Sequence, residues 1–244
     1  MAPTIRAADI RRVHYGYIVS PPEYPDAGLP LPVTGFVVPH PGGTVLFDTG
    51  MSPVDDEETR DRYHPRLHTP MEALASVGVQ LTDIDLIANC HLHVDHAGGN
   101  YQFPGVRVLV QRAELDAARE PDYTYPHYTF DYAGAQMDVV DGEAQLAPGL
   151  RLVPTPGHTP GHQSLLVDTD EGPWLLAGQA SNTSWEFSAQ AFSERIASST
   201  DDRIGTYPEW MAGLREWGVE RALFAHDLMV WLRDDSDLGR PGLA

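Results

Sequence analysis

The sequence predicts a single β-rich α/β layered domain, and three observations carry that prediction. Its 244 residues are 42% hydrophobic and 21% charged, enough apolar material for a sizeable core. Most strand-like runs are short, and turn-linked hairpins alternate with helical segments, which favours layered sheets over a doubly wound parallel sheet. No repeat, low-complexity tract or linker-like shift in composition divides the chain.

The elements follow in order. A strand is expected over 14–19, then an irregular loop where Pro21, Pro22, Pro25, Pro30 and Pro32 cluster. Residues 1–35 as a whole read as an irregular N-terminal part. The runs 36–38 and 44–47 flank Pro41-Gly42-Gly43 and form a hairpin, and the second run exits through polar Asp48-Thr49-Gly50. Met71, Leu74 and Val77 have helical spacing, and Gly78 suits the end of that helix. A short apolar strand over 84–88 leads straight into a histidine cluster. Beyond it come a strand at 106–110, a helix at 112–119, and strands at 150–153, 164–167 and 174–177. A helix over 209–217, a last strand over 222–225 and a polar tail at 233–244 complete the chain.

Composition narrows the function. Acids outnumber bases 35 to 16, a formal net charge of -19. Such a surface repels phosphate backbones and anionic lipid, so neither nucleic acid nor a membrane is an expected partner. No run of 18 apolar residues is present and no apolar stretch precedes the first arginines, so the expectation is a soluble, cytoplasmic protein acting on a small molecule. Every basic residue is an arginine, which excludes Schiff-base, catalytic-base and P-loop lysines. Cys90 stands alone, so no internal disulfide forms. Metal ions held by some of the 11 histidines are then the natural carriers of positive charge in an active site.

The sharpest signal is His91-Leu92-His93-Val94-Asp95-His96, immediately after the strand at 84–88. Three imidazoles and a carboxylate in six residues cannot all be buried unpaired. At a strand end His91 and His93 share a face, and Asp95 and His96 follow in the turn that Gly98-Gly99 permits. These are zinc-type ligands. Further ligands are expected from other strand-end loops. His158 sits in Pro156-Gly157-His158-Thr159-Pro160-Gly161-His162, where Pro and Gly fix its position. His162 reads rather as a loop-bonding residue, and His226-Asp227 follows the last strand.

The segments HLHVDHAGGN (91–100), PGHTPGH (156–162) and FAHD (224–227), with VLFDTG (45–50) upstream, resemble the metallo-β-lactamase superfamily. The resemblance is nearest to its N-acyl homoserine lactonase branch and runs in matching order from about Phe36 to Asp227. It implies an αββα sandwich with a metal centre at one edge, between the sheets. By position, His91, His93 and His158 would hold a first ion, and Asp95, His96 and His226 a second. Asp48 would orient ligands from behind. The implied activity is zinc-dependent opening of a lactone or similar small ester, the chemistry of quorum quenching. Thioester or β-lactam hydrolysis, a tailoring step in secondary metabolism, and metal binding with little catalysis are the alternatives.

Two positions depart from the family pattern. Where the family carries an aspartate between its two ions, this chain has Gln179, and a tyrosine three residues on is replaced by Asn182. Two divalent ions about 3.5–4 Å apart repel, and an amide offers only a neutral oxygen in place of a charge. The expectation is therefore one tight zinc site and a weakened or partly filled second site, with Gln179 a weak ligand or none. Manganese, iron or cobalt would suit the same donors. A first-site ion with three imidazoles still lowers the pKa of bound water towards about 7. Asp95 is expected to move the proton, and Asn182 to donate to the developing oxyanion. Trp185 and Phe187 are expected near the pocket by proximity to Gln179. Tyr123, Tyr125, Tyr128, Phe130 and Tyr132 would form either an aromatic lid or a packed connection.

Overall fold

Alternation of side chains along the strands builds two sheets, each apolar on both faces. In the computed structural model residues 5–24, 26–51, 57–121, 123, 129–196 and 205–233 are described. The first sheet holds β1 (Arg11–Val19), β2 (Pro30–Val38), β3 (Val45–Phe47), β4 (Arg66–Leu67), β5 (Leu86–Ala88), β6 (Arg107–Gln111) and β7 (Gln136–Val140), in the order β4-β1-β2-β3-β5-β6-β7. The second holds β8 (Ala144–Ala147), β9 (Leu150–Pro154), β10 (Gln163–Thr169), β11 (Gly172–Gly178), β12 (Arg221–Phe224) and β13 (Val230–Leu232), in the order β13-β12-β11-β10-β9-β8. The helices are α1 (Glu57–Tyr63), α2 (Pro70–Ser76), α3 (Val94–Ala97), α4 (Arg112–Ala117), α5 (Ser184–Ile196) and α6 (Gly213–Glu216).

The period of two decides which residue meets which layer. Phe36, Val38, Val45, Phe47, Ala88 and Leu109 turn inward and pack against Leu150, Leu152, Leu165, Val167, Leu176 and Leu223 of the facing sheet. Their neighbours Val37, Leu46 and Ile87 face outward and bury Ala73 and Leu74 of α2. On the other side Val153, Leu166, Leu175 and Phe224 cover Phe187 and Ala191 of α5 and Leu214 of α6. The layers are thus helix, sheet, sheet, helix, the sandwich that the resemblance implied. Among the described residues no helix is long and apolar enough to cross a membrane.

Three expectations are corrected. The N-terminal part is not irregular throughout: β1 and β2 are nine-residue strands paired from Arg11↔Val37 to Val19↔Pro30. Pro30 and Pro32 are tolerated because β3 reaches only Phe36–Val38, so among the described residues the proline end of β2 has no ladder partner on that side. The 209–217 helix is split into a 3-10 turn, Glu209–Ala212, followed by α6. Helix α5 was not anticipated, because its apolar stripe is thin, with only Phe187 and Ala191 buried among hydrophobic residues. The tail at 234–244, like Tyr125 and Tyr128, lies outside the described residues.

Candidate metal centre

Five strand ends open on one edge of the sandwich. Parallel β3 and β5 run in register, Phe47↔Ala88, so Asp48 and the segment after Ala88 leave side by side, with Asp48 N–H donating to the Ala88 carbonyl at 3.0 Å. Parallel β11 and β12 do the same for Gln179 and His226, and the Ala225 N–H donates to the Gly178 carbonyl at 2.9 Å. The loop after β9 supplies His158. The sheets are clasped at this edge by Gln163 N–H donating to the Cys90 carbonyl (2.8 Å) and Thr34 N–H to the Ala225 carbonyl (3.0 Å). Parallel pairing is the physical reason that residues far apart in sequence converge here.

Among the described residues ligand-type atoms fall into four groups, two of which include Cys90; neither of the other two is satisfied by the protein alone. In the first, ligand atoms of His91, His93 and His158 lie within 4.8 Å of one another. His91 is wholly buried and its Nε2 has no hydrogen-bond partner among the described residues, an orphan that a bound cation would satisfy. His93 Nδ1 and His158 Nε2 stand 3.1 Å apart. Burial lowers all three pKa values, to about 4 for His93, to about 2 for His158 and well down for His91, so all three are held as the neutral imidazoles that metals require.

In the second group Asp95, His96 and His226 come together. The tautomers follow from acceptor-only partners. His96 Nδ1 faces the Asp48 carboxylate at 3.0 Å and His226 Nδ1 the Pro32 carbonyl at 2.8 Å, so both nitrogens donate. Each Nε2 lone pair then points into the group, where the two nitrogens lie 3.2 Å apart. Asp95 Oδ2 is 3.5 Å from His96 Nε2 and 3.2 Å from His226 Nε2, and Gln179 Oε1 is 3.0 Å from His96 Nε2. Four acceptors facing one another demand a positive charge. Without an ion a proton serves: burial lowers the His96 pKa, but Asp95, Asp48 and the hydrogen bonds outweigh it and raise it to about 9. Burial likewise disfavours charge on Asp95, yet His96, His226 and His93 bring its pKa well below the usual carboxylate range. The donor set fits a divalent cation.

The neighbouring polar groups are already paired, which separates them from the ligands. Cys90 donates its thiol to Asp48 Oδ2 at 3.0 Å, and burial beside that carboxylate pushes its pKa up, so it stays a neutral thiol. His162 uses Nδ1 on Thr155 (2.8 Å to Oγ1) and accepts the Gln179 N–H at Nε2 (3.1 Å), the loop-bonding role its sequence context suggests. Asp48 adopts a left-handed backbone, φ 64°, and its carbonyl accepts from Tyr15 Oη at 3.0 Å. Its carboxylate meanwhile takes the Cys90 N–H at 2.8 Å and steers His96.

A cavity of about 340 Å3 opens above both groups. His93, Asp95, His158, Gln179, Asn182 and His226 form its floor, beneath walls that include Tyr24, Tyr63 and Tyr123. The expected pocket residues Trp185 and Phe187 are not there. Trp185 is 79% exposed on α5, and Phe187 is fully buried against Trp210, Phe224 and Trp231. The bend over 180–183 and the course of α5 carry both away from the edge. Asn182 lines the cavity, but its amide is engaged at both ends, so it is no free oxyanion donor. Its Oδ1 accepts from Gln179 Nε2 at 2.9 Å and its Nδ2 donates to Asp26 at 3.3 Å. Of the aromatic segment, Tyr123 lines the cavity and Phe130 packs near Leu92 and Ala97.

Sequence reasoning missed Glu114. This wholly buried carboxylate accepts from Leu92 N–H (2.9 Å), Thr159 Oγ1 (2.7 Å), Gly161 N–H (3.1 Å) and the Tyr123 hydroxyl. It thereby ties the loop of His91 and His93 to that of His158. The sequence signal was slight: an acid on the first turn of a short helix.

Comparisons with known proteins accord with this fold. A family model described as the metallo-β-lactamase superfamily matches residues 28–188. An N-acyl homoserine lactonase of a Bacillus species is 34% identical over 192 residues, 72% of this chain and 76% of that protein. The N-acyl homoserine lactonase AttM of Rhizobium radiobacter is 30% identical over 205 residues, 73% and 78% of the two chains. A crystal structure of a Bacillus thuringiensis AiiA mutant with N-decanoyl-L-homoserine at its active site superimposes with TM-score 0.72 at 26% identity, covering 93% of this chain and 95% of that one.

Proposed function

The chain belongs to the metallo-β-lactamase superfamily, and from that premise we propose that it opens N-acyl homoserine lactones as a zinc-dependent hydrolase. The observation that carries this reading is the convergence of two groups of acceptor atoms on the floor of a cavity large enough for a small acyl lactone. Relatives named for this activity support the substrate class.

His91, His93 and His158 would hold one ion and Asp95, His96 and His226 the other, with the Gln179 amide oxygen beside the second group. Imidazole and carboxylate donors in these numbers suit zinc. A divalent ion bound there supplies a Lewis acid that polarises a carbonyl and makes water acidic enough to act as nucleophile near neutral pH. The chain's own residues do the rest. Asp95, ionised and facing the cavity, takes the proton of the attacking water as oxygen adds to the lactone carbonyl carbon. As the ring C–O bond breaks, Asp95 returns that proton to the departing alkoxide. Tyr24 and Tyr63 line the same cavity, and burial raises both phenols, so they remain hydroxyl donors towards the substrate. Asp48 and Glu114 keep the ligand-bearing loops in place.

The test is a metal-stripped and zinc-reloaded preparation assayed on acyl homoserine lactones of short and long chain, alongside a thioester and a β-lactam. Zinc-dependent acid release from the lactones is expected, with the ring-opened acyl homoserine as product. Zinc bound without lactone turnover, or turnover of the thioester alone, would overturn the reading.

A further inference from the structure

We infer that Asn182 and Asp26 are positioning residues that fix the polarity of the Gln179 amide and so make its oxygen a standing ligand for the second ion. The inference rests on the metal-centre reading above and deepens it at one side chain. An amide can present either its oxygen or its NH2 to the group formed by Asp95, His96 and His226. Only the oxygen helps a cation; the NH2 would repel it.

The polarity is set from outside the centre, one acceptor at a time. Asp26 lies in the turn after β1, which Ser20 N–H closes onto the Leu29 carbonyl and Gly28 N–H onto the Ser20 carbonyl, both at 2.9 Å. Its Oδ1 accepts from Ser20 Oγ at 2.7 Å, leaving Oδ2 towards Asn182. A carboxylate only accepts, so Asn182 must turn Nδ2 to it (3.3 Å) and Oδ1 away. That oxygen also only accepts, so Gln179 must bring Nε2 to it (2.9 Å), and Gln179 Oε1 is left facing His96 Nε2 at 3.0 Å. The Asn182 backbone is held in turn by its N–H donating to Glu186 Oε2 at 3.0 Å, and that of Gln179 by its N–H on His162. Each amide in the series has one orientation that satisfies the partner behind it, and for Gln179 that orientation leaves its oxygen facing the group of acceptors. The second site therefore trades a negative charge for a pre-aimed neutral oxygen, and its affinity depends on two residues placed behind the ligand.

Calorimetric titration of the metal-free protein with zinc tests this. Two binding events are expected for the natural chain. Asn182→Ala frees the Gln179 amide to turn, and is expected to weaken the second event about 10- to 100-fold while leaving the first unchanged, which also reports a folded protein. The pair Asp26→Asn with Asn182→Asp restores the polarity: the carboxylate introduced at 182 accepts from Gln179 Nε2, and the amide introduced at 26 donates to it while accepting from Ser20. That double variant is expected to regain most of the lost affinity. An unchanged second event in Asn182→Ala, no recovery in the double variant, or a natural chain that binds a single ion each overturns the inference. A natural chain that binds no zinc overturns the metal-centre reading with it.

Discussion

At Glu114 four donors meet one carboxylate that has no exposed surface. Burial raises its pKa against the pull of these hydrogen bonds, and each oxygen takes one backbone N–H, Leu92 on Oε1 and Gly161 on Oε2, so an amide meets a donor in either orientation. Glu114→Gln would set an NH2 against a donor, so a loss of about 1–3 kcal/mol in urea unfolding is expected. The loss should be accompanied by weaker binding of the first ion, because the loops of His93 and His158 come apart. A change within a few tenths of a kcal/mol would show the carboxylate to be replaceable. The histidines were legible in the sequence because three of them and an aspartate fall within six residues, a density with few structural uses. Glu114 was not, since its partners stand at Leu92, Tyr123, Thr159 and Gly161, and only the fold gathers them. Asn182 was found as a position but given a different task, because an amide's direction is set by what it faces.

Among the elements, β11 ends in Gly178 at φ 58°, where a Cβ would stand 2.4 Å from that of Cys90. Gly105, at φ 83°, has open space around the same position. Gly105→Ala is expected to cost about 1–2 kcal/mol for the left-handed backbone alone. Gly178→Ala should cost about 1–3 kcal/mol more, from the crowding between the ends of β11 and β5. Equal denaturant midpoints for the two variants would refute this. Strands with clear alternation or apolar runs, such as those at 164–167 and 174–177, were legible because their neighbours on each side are hydrophobic. Helix α5 was not, because a mostly exposed helix needs few apolar residues and Phe187 reads equally well as a pocket wall. The proline-rich start of β2 was hidden because tolerance of proline depends on whether a neighbouring strand is present, which is a property of the sheet.

For the whole molecule, stability of the metal-free chain should peak near neutral pH. His91, His93, His158 and His162 have lowered pKa values, chiefly by burial, to about 4, 2 and 3 for the last three. Their contribution is complete above the unfolded value near 6.5 and is lost as pH falls towards the folded values, at about 1.4 kcal/mol per pH unit for each proton taken up on unfolding. His96 acts in the opposite sense: raised to about 9, it contributes fully below about 6.5 and loses that contribution as pH rises through 9. Urea midpoints should therefore fall on both sides of neutrality and more steeply on the acid side; a flat profile between pH 7 and 5 would contradict the burial of these imidazoles. The net charge of -19 adds general self-repulsion but does not reach into the sandwich. By itself the sequence determined the layered class, the family resemblance and the candidate ligand residues, because alternation, strand-end spacing and histidine density are local properties of the chain and the resemblance rests on them. Only the tertiary structure decided which way each amide and imidazole points, which aromatic residues face the cavity, and that Glu114 bonds both histidine loops and Asp26 the Asn182 amide. Those depend on donors and acceptors brought together from opposite sheets, and no local pattern records them.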